Sequence, residues 1–113
     1  MTDSEFITVA DATLAAIGAA LDAAFNASDA DGDWRQNDGI LEIEGGDSSK
    51  LIVNRHVPNR EIWVAARAGG FHFRAEQGRW VDTRSGEELS AVLVRLLAQQ
   101  VGWKVDLPVL RSA

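Results

Sequence analysis

The 113-residue chain contains no cysteine. That excludes disulfides, thiolate metal sites, a cysteine nucleophile and the thiolate ligands that normally hold an iron–sulfur cluster. Histidine is nearly absent too. His56 and His72 are the only two, and no HxxxH or HxH pair is present. Basic side chains are missing from one whole region: among the first 47 residues Arg35 stands alone against eleven Asp and Glu. The remaining 66 residues carry ten Lys and Arg against six acids, and the net charge is −6. Charge segregated in this way marks one region as a docking surface for cations or a basic partner, and it disfavours nucleic acid, whose phosphates the acids repel. Apolar runs such as Ala15 to Leu21 and Leu89 to Ala98 are read as too short or too interrupted to span a bilayer. The acidic start Met1-Thr2-Asp3-Ser4-Glu5 lacks the basic region of a signal peptide, so a cytoplasmic, non-membrane protein is expected.

What is present is an ordinary globular composition, 46% hydrophobic and 25% charged, in a length suited to one domain spanning 1–113. From Ser4 to Ala24 the residues Phe6, Ala10, Leu14, Ile17, Leu21 and Phe25 recur at steps of three and four, which predicts a long amphipathic helix capped by Asp3 or Ser4. Asp11 and Asp22, eleven positions apart, fall on one stripe of it. In Ser28 to Trp34 the acids Asp29, Asp31 and Asp33 alternate, and an extended chain would place them on one face. Strand-like runs follow at Ile40 to Glu44, Lys50 to His56, Glu61 to Arg67 and Gly70 to Glu76, separated by short turns, with a last strand at Arg79 to Asp82. Alternation assigns Leu41, Ile43, Leu51, Val53, Ile62, Val64, Ala66, Phe71 and Phe73 to a core face, and Asn54, Trp63, His72 and Arg74 to the other. Ser85 to Glu88 reads as a capping box before a second helix from about Gly86 to Val101, and Trp103 to Leu110 is apolar enough to pack back on the domain. The expected fold is therefore α+β: a two-layer sandwich with two helices on one face of an antiparallel sheet of five to six strands.

The chemistry is less determined. The spacing of Asp29, Asp31 and Asp33 suggests an EF-hand opening, but Trp34 and Ile40 occupy the positions where that loop requires Gly and Glu. Clustered carboxylates still suit a hard cation, and the alternative is a solvated acidic face without a ligand. His56 and His72 are weak ligand candidates, since a lone strand histidine is more often structural. No Ser-His-Asp order, nucleophile elbow, phosphate loop or dinucleotide fingerprint is present, so no catalytic residue is assigned. Trp63 opposes the apolar parity of its strand, which fits either an exposed interface anchor or a tryptophan partly covered by neighbouring side chains.

Asp3-Ser4-Glu5-Phe6, Leu21-Asp22, Ser28-Asp29-Ala30-Asp31, Gly39-Ile40-Leu41, Ile52-Val53-Asn54-Arg55, Pro58, Ile62-Trp63-Val64-Ala65, Gly69-Gly70-Phe71-His72-Phe73 and Arg84-Ser85-Gly86-Glu87 together resemble the bacterial frataxin (CyaY) family, in collinear order over nearly the whole chain. The resemblance implies the fold inferred above. It further implies a non-enzymatic protein that binds iron weakly, as Fe2+ or Fe3+, along an acidic ridge, and that regulates iron–sulfur cluster assembly by docking the same ridge on the cysteine desulfurase. The cluster scaffold is an implied further partner. Matching ridge positions are Asp3, Glu5, Asp22, Asp29, Asp31 and Asp33, with Asp11 a neighbour by helical phase. Implied partner contacts are Asp22, Asp29, Asp31, Asn54 and Trp63. A monomer with iron-induced oligomers is expected, carrying no cluster of its own. Where many bacterial relatives have two mid-helix glutamates this chain has Gly18 and Ala19, and Ala23 stands where a further acid follows Asp22, which implies a thinner ridge. His56 and Glu61 stand where Gln is usual. Two other readings are an iron-handling protein, as ferroxidase or store, and a metal-independent electrostatic module.

Overall fold

A computed structural model describes residues 1–27 and 31–112. Helix α1 (Asp3–Ala27) is followed by six strands, β1 (Gly32–Asn37), β2 (Ile40–Gly45), β3 (Lys50–His56), β4 (Glu61–Ala66), β5 (Gly69–Glu76) and β6 (Arg79–Asp82). Helix α2 (Leu89–Leu96) closes the layer and runs into a wider π-helical turn at Leu97–Val101. The strands pair in sequence order, every pair antiparallel, as the short connections require. Between β1 and β2 the connection is Asp38-Gly39 with φ of 48° and 77°, the backbone that a two-residue hairpin turn demands.

Alternation along the strands separates two faces. Leu41, Ile43, Leu51, Val53, Ile62, Val64 and Phe73 are buried beneath Phe6, Ala10, Leu14, Ile17 and Leu21 of α1 and Leu89, Val92, Leu93 and Leu96 of α2. Ala66 and Phe71, expected on the same face, pack against this core while remaining partly exposed. Trp103, Val105 and Leu110 seal it from the C-terminal segment, as their apolar character predicts. That segment is tied down by a hydroxyl: Trp80 Nε1–H donates to buried Thr13 Oγ1 at 2.9 Å, and Thr13 Oγ1 also lies 3.1 Å from the Arg111 carbonyl.

Three local expectations change. Helix α1 is capped one residue earlier than Asp3 or Ser4: Thr2 Oγ1 accepts from Glu5 N–H at 3.1 Å while Glu5 Oε1 accepts from Thr2 N–H at 3.0 Å, a reciprocal capping box. No such box forms at Ser85 to Glu88. Gly86 takes φ 78°, Ser85 Oγ accepts from Glu87 N–H instead, and Glu88 itself is the N-cap of α2, accepting from Ser90 N–H at 2.8 Å. Helix α1 is also long and apolar enough, by length and composition, to cross a membrane. Its many alanines lengthen the apolar run on the exposed side, while its larger residues lie on the sheet.

Candidate functional site

The acids expected to form one ridge are distributed over three stations along α1. At the N-terminal station Glu5 is engaged in the capping box, whose Thr2 hydrogen bonds hold its carboxyl below the usual range. Asp3 beside it pairs with Arg60 at 2.9 Å. At the middle station Arg55, mostly covered, bridges Asp11 on the helix and Asp38 in the hairpin turn. Its guanidinium lies against Gly39, where any Cβ would come within 2.6 Å of Nε, so glycine is required there for space as well as for φ. Toward the C-terminal end of α1 are Asp22 and, from the chain leading into β1, Asp31, while Asp33 follows in β1 on the face of the sheet away from the helix. No Lys or Arg pairs with these three among the described residues. At a rise of about 1.5 Å per residue, Asp3 and Asp22 stand roughly 28 Å apart, so one ion cannot engage both. Folding thus neutralises much of the acidic region with cations from later in the chain and leaves its free carboxylates at one end.

Two indoles organise that end. Trp34 faces α1 from the edge strand β1, half-buried, and its Nε1–H donates to Asp22 Oδ1 at 3.2 Å. The ring lies over Gly18, where a Cβ would meet Trp34 Cη2 at 3.0 Å. Trp34 thus lies over α1 where a side chain at position 18 would start, whereas Ala19 and Ala23, the other two positions of the thinner ridge, are exposed. Trp34 is the site residue that spacing arguments passed over, although a tryptophan in an otherwise polar strand, with a glycine in the facing helix, was a usable signal. Trp103, stacked edge-on with Phe25, donates its Nε1–H to the Asp31 carbonyl at 3.1 Å and so fixes the start of β1.

Of the extended run, the two described acids, Asp31 and Asp33, do not both lie in the strand. β1 begins at Gly32, so only Asp33 lies in it. Asp33 turns away from Trp34, accepts the Trp34 backbone N–H at 2.8 Å and stands opposite Glu44 of β2. Asp31 precedes the strand, and its carboxylate lies over Gly46, where a Cβ would come within 2.3 Å of Oδ2. Asp29 lies outside the described residues. Among the described residues no three His, Asp or Glu side chains converge as a closed metal-binding group. The arrangement offers open carboxylate oxygens to a hard cation or to basic side chains, not a cage.

On the sheet's open face one cross-strand row reads Asn37, Ile40, Asn54, Trp63 and His72. Asn54 Nδ2 donates to the Arg55 carbonyl at 3.2 Å. Trp63 is half-buried, with its Nε1–H donated to Glu61 Oε1 at 2.8 Å. Its ring is parallel to both histidines, with centroids 3.6 Å from His56 and 4.2 Å from His72. Both imidazoles crowded onto one side of the indole would overlap each other, so they lie on opposite faces of it. They are then too far apart to share a metal ion. The two ligand candidates are joined instead by what lies between them. An exposed isoleucine, Ile40, and a shallow depression lined by Arg35, Asn37, Ile40 and Glu42 continue this face toward β1.

Comparison with known proteins accounts for these features together. The family model described as a frataxin-like domain matches residues 1–103. The chain belongs to the frataxin family. A curated relative of this frataxin, the iron-sulfur cluster assembly protein CyaY of Ralstonia nicotianae, is 50% identical over 100 residues, covering 88% of each chain. Among solved structures, the frataxin of Psychromonas ingrahamii superposes with a TM-score of 0.82 at 36% identity, covering 94% of this frataxin and 97% of that chain. A trimeric yeast frataxin complexed with ferrous iron superposes with a TM-score of 0.72 at 26% identity, covering 81% and 84%. The helix pair on an antiparallel sheet is thus the frataxin fold.

Proposed function

We propose that this frataxin is an iron-binding, non-enzymatic regulator of iron–sulfur cluster assembly that docks on the cysteine desulfurase through the acidic C-terminal station of α1 and the start of β1. The name of its curated relatives supports the assembly role, and the yeast homologue's complex with ferrous iron supports the metal. The single observation that carries the reading is the set Asp22, Asp31 and Asp33, exposed and without a cation partner among the described residues, beside a helix whose other acids are paired. Asp29, between them in sequence, belongs to the same proposal. Exposed carboxylates in water bind a hard cation loosely, which suits a protein that takes up and releases iron. The same charges complement a basic surface and speed its encounter. Asp3, Glu5 and Asp11 contribute field more than ligands, because Arg60, Thr2 and Arg55 hold their oxygens. On the open face, Asn54 and Trp63 complete the partner contact.

A titration followed by NMR tests this reading. Ferrous iron is expected to broaden the amides around Asp22 and Asp31 to Asp33 first, and the desulfurase to shift those and the Trp63 row. Broadening centred on Asp3 and Asp11 instead would overturn the placement. That the described residues offer open carboxylates and no closed three-ligand group among them favours one second reading, a purely electrostatic module in which metal merely competes for the carboxylates. It predicts undiminished docking in chelator-treated buffer and no iron-specific broadening. Iron-dependent assembly into oligomers is a further expectation of the iron-binding reading; the yeast homologue complexed with ferrous iron is trimeric.

A further inference from the structure

Both histidines of the chain are spent on one side chain. His72 is directly opposite Trp63 across β4 and β5, and His56 reaches it diagonally across β3 and β4, where its direct opposite is Glu61. The ring planes agree to within 7° and 8°, so the indole is clasped on both faces. Its N–H is held by Glu61, and His56 is held in turn by the Asn59 N–H, 3.4 Å from Nδ1. What remains exposed of Trp63 is the rim of the ring. An unsupported tryptophan on an open sheet would exchange rotamers, and ordering it on binding would cost affinity.

We propose that His56 and His72 are positioning residues that brace Trp63 upright and present its rim as a preformed anchor for the desulfurase. The anchor role rests on the docking reading above; the brace itself does not. Indoles are the side chains that most often dominate interface energy, and their advantage depends on being rigid before contact. Glu61 fixes the in-plane rotation, and the two imidazoles fix the tilt.

The test pairs two measurements on the full chain. Relaxation of the Trp63 indole N–H in the free protein reads the brace, and affinity for the desulfurase reads its use. His56→Ala and His72→Ala are expected to loosen the indole and to weaken docking about three- to tenfold each, from the lost preorganisation of one side chain. His56→Phe and His72→Phe, which keep a flat ring in place, are expected to restore both. An indole equally ordered in the alanine variants overturns the brace. Loosening without any change in affinity overturns the anchor role. A wild-type chain that does not bind the desulfurase overturns the docking reading and the anchor role with it, while the relaxation data still decide the brace.

Discussion

Ala19 is exposed one turn before Asp22 on α1, and Ala23 is exposed one turn after Ala19, so Ala19→Glu combined with Ala23→Glu adds one carboxylate beside the unpaired Asp22 and a second beside the first. Residues at spacings of three and four bring their Cβ atoms to about 5–6 Å, within reach of a shared cation. Each added charge attracts a divalent ion about 5 Å away by roughly 1.7 kcal/mol in water, and screening at physiological salt reduces the pair's total to about 2 kcal/mol. That corresponds to roughly 30-fold tighter binding of ferrous iron. Without metal the same acids repel one another and oppose the helix dipole, at about 1 kcal/mol of stability and roughly 4 °C in Tm. Anaerobic calorimetry with ferrous iron reads the first effect, and thermal unfolding with and without iron reads the second. The variant should be less stable when free of metal and regain its Tm when loaded. An affinity within twofold of wild type would refute the placement of the iron site. Gly18→Glu is the contrasting arm: its Cβ would come 3.0 Å from Trp34 Cη2, so the indole must shift by a few tenths of an ångström, and the gain should be smaller.

Thr13→Val should cost about 1–3 kcal/mol, because it leaves the buried Trp80 indole N–H without an acceptor and unties Arg111; Thr13→Ser keeps the hydroxyl and should lose less. Chemical denaturation checks both, and a loss for Thr13→Val below about 0.5 kcal/mol would contradict the buried hydrogen bond. The nearby Ser49 hydroxyl, the Ser49 backbone N–H that Asp47 accepts at 3.0 Å, and Arg67 lower the Asp47 carboxyl from 3.8 to about 2. Because the folded value lies below the unfolded one, its stabilisation is complete above about pH 4 and is lost as the pH falls toward 2. Asp47→Asn should therefore flatten the acid limb of stability in that window, measured by urea midpoints from pH 2 to 7; an unaltered limb would count against the turn geometry.

Periodicity alone located α1, five strands and the core face, because Leu41 to Phe73 alternate cleanly and Phe6 to Leu21 recur at helical steps. Family resemblance added what the frataxin would do, which no spacing in the chain could state. End signals were less legible. Thr2 and Ser85 both begin a capping-box pattern, and only the tertiary position of Gly86 and Glu88 decides that the second is not used. Charge was the most misleading single cue. Eleven acids in 47 residues look like one surface until Arg55 and Arg60, distant in sequence, return to pair with Asp11 and Asp3. Pairing across more than forty residues cannot be read from local pattern, and neither can the clasp of His56 and His72 on Trp63, which needs the register of three strands.

The central claim is that this frataxin acts on cluster assembly through Asp22, Asp31 and Asp33. The most direct measurement is the initial rate of cluster formation on a scaffold protein in a reconstituted mixture of desulfurase, cysteine and ferrous iron. Wild-type protein is predicted to change that rate in proportion to its concentration until the desulfurase is saturated, and Asp22→Asn, Asp31→Asn and Asp33→Asn together to abolish the change while leaving the fold intact. An unaltered rate with wild type, or an equal effect from the folded triple variant, would contradict the account.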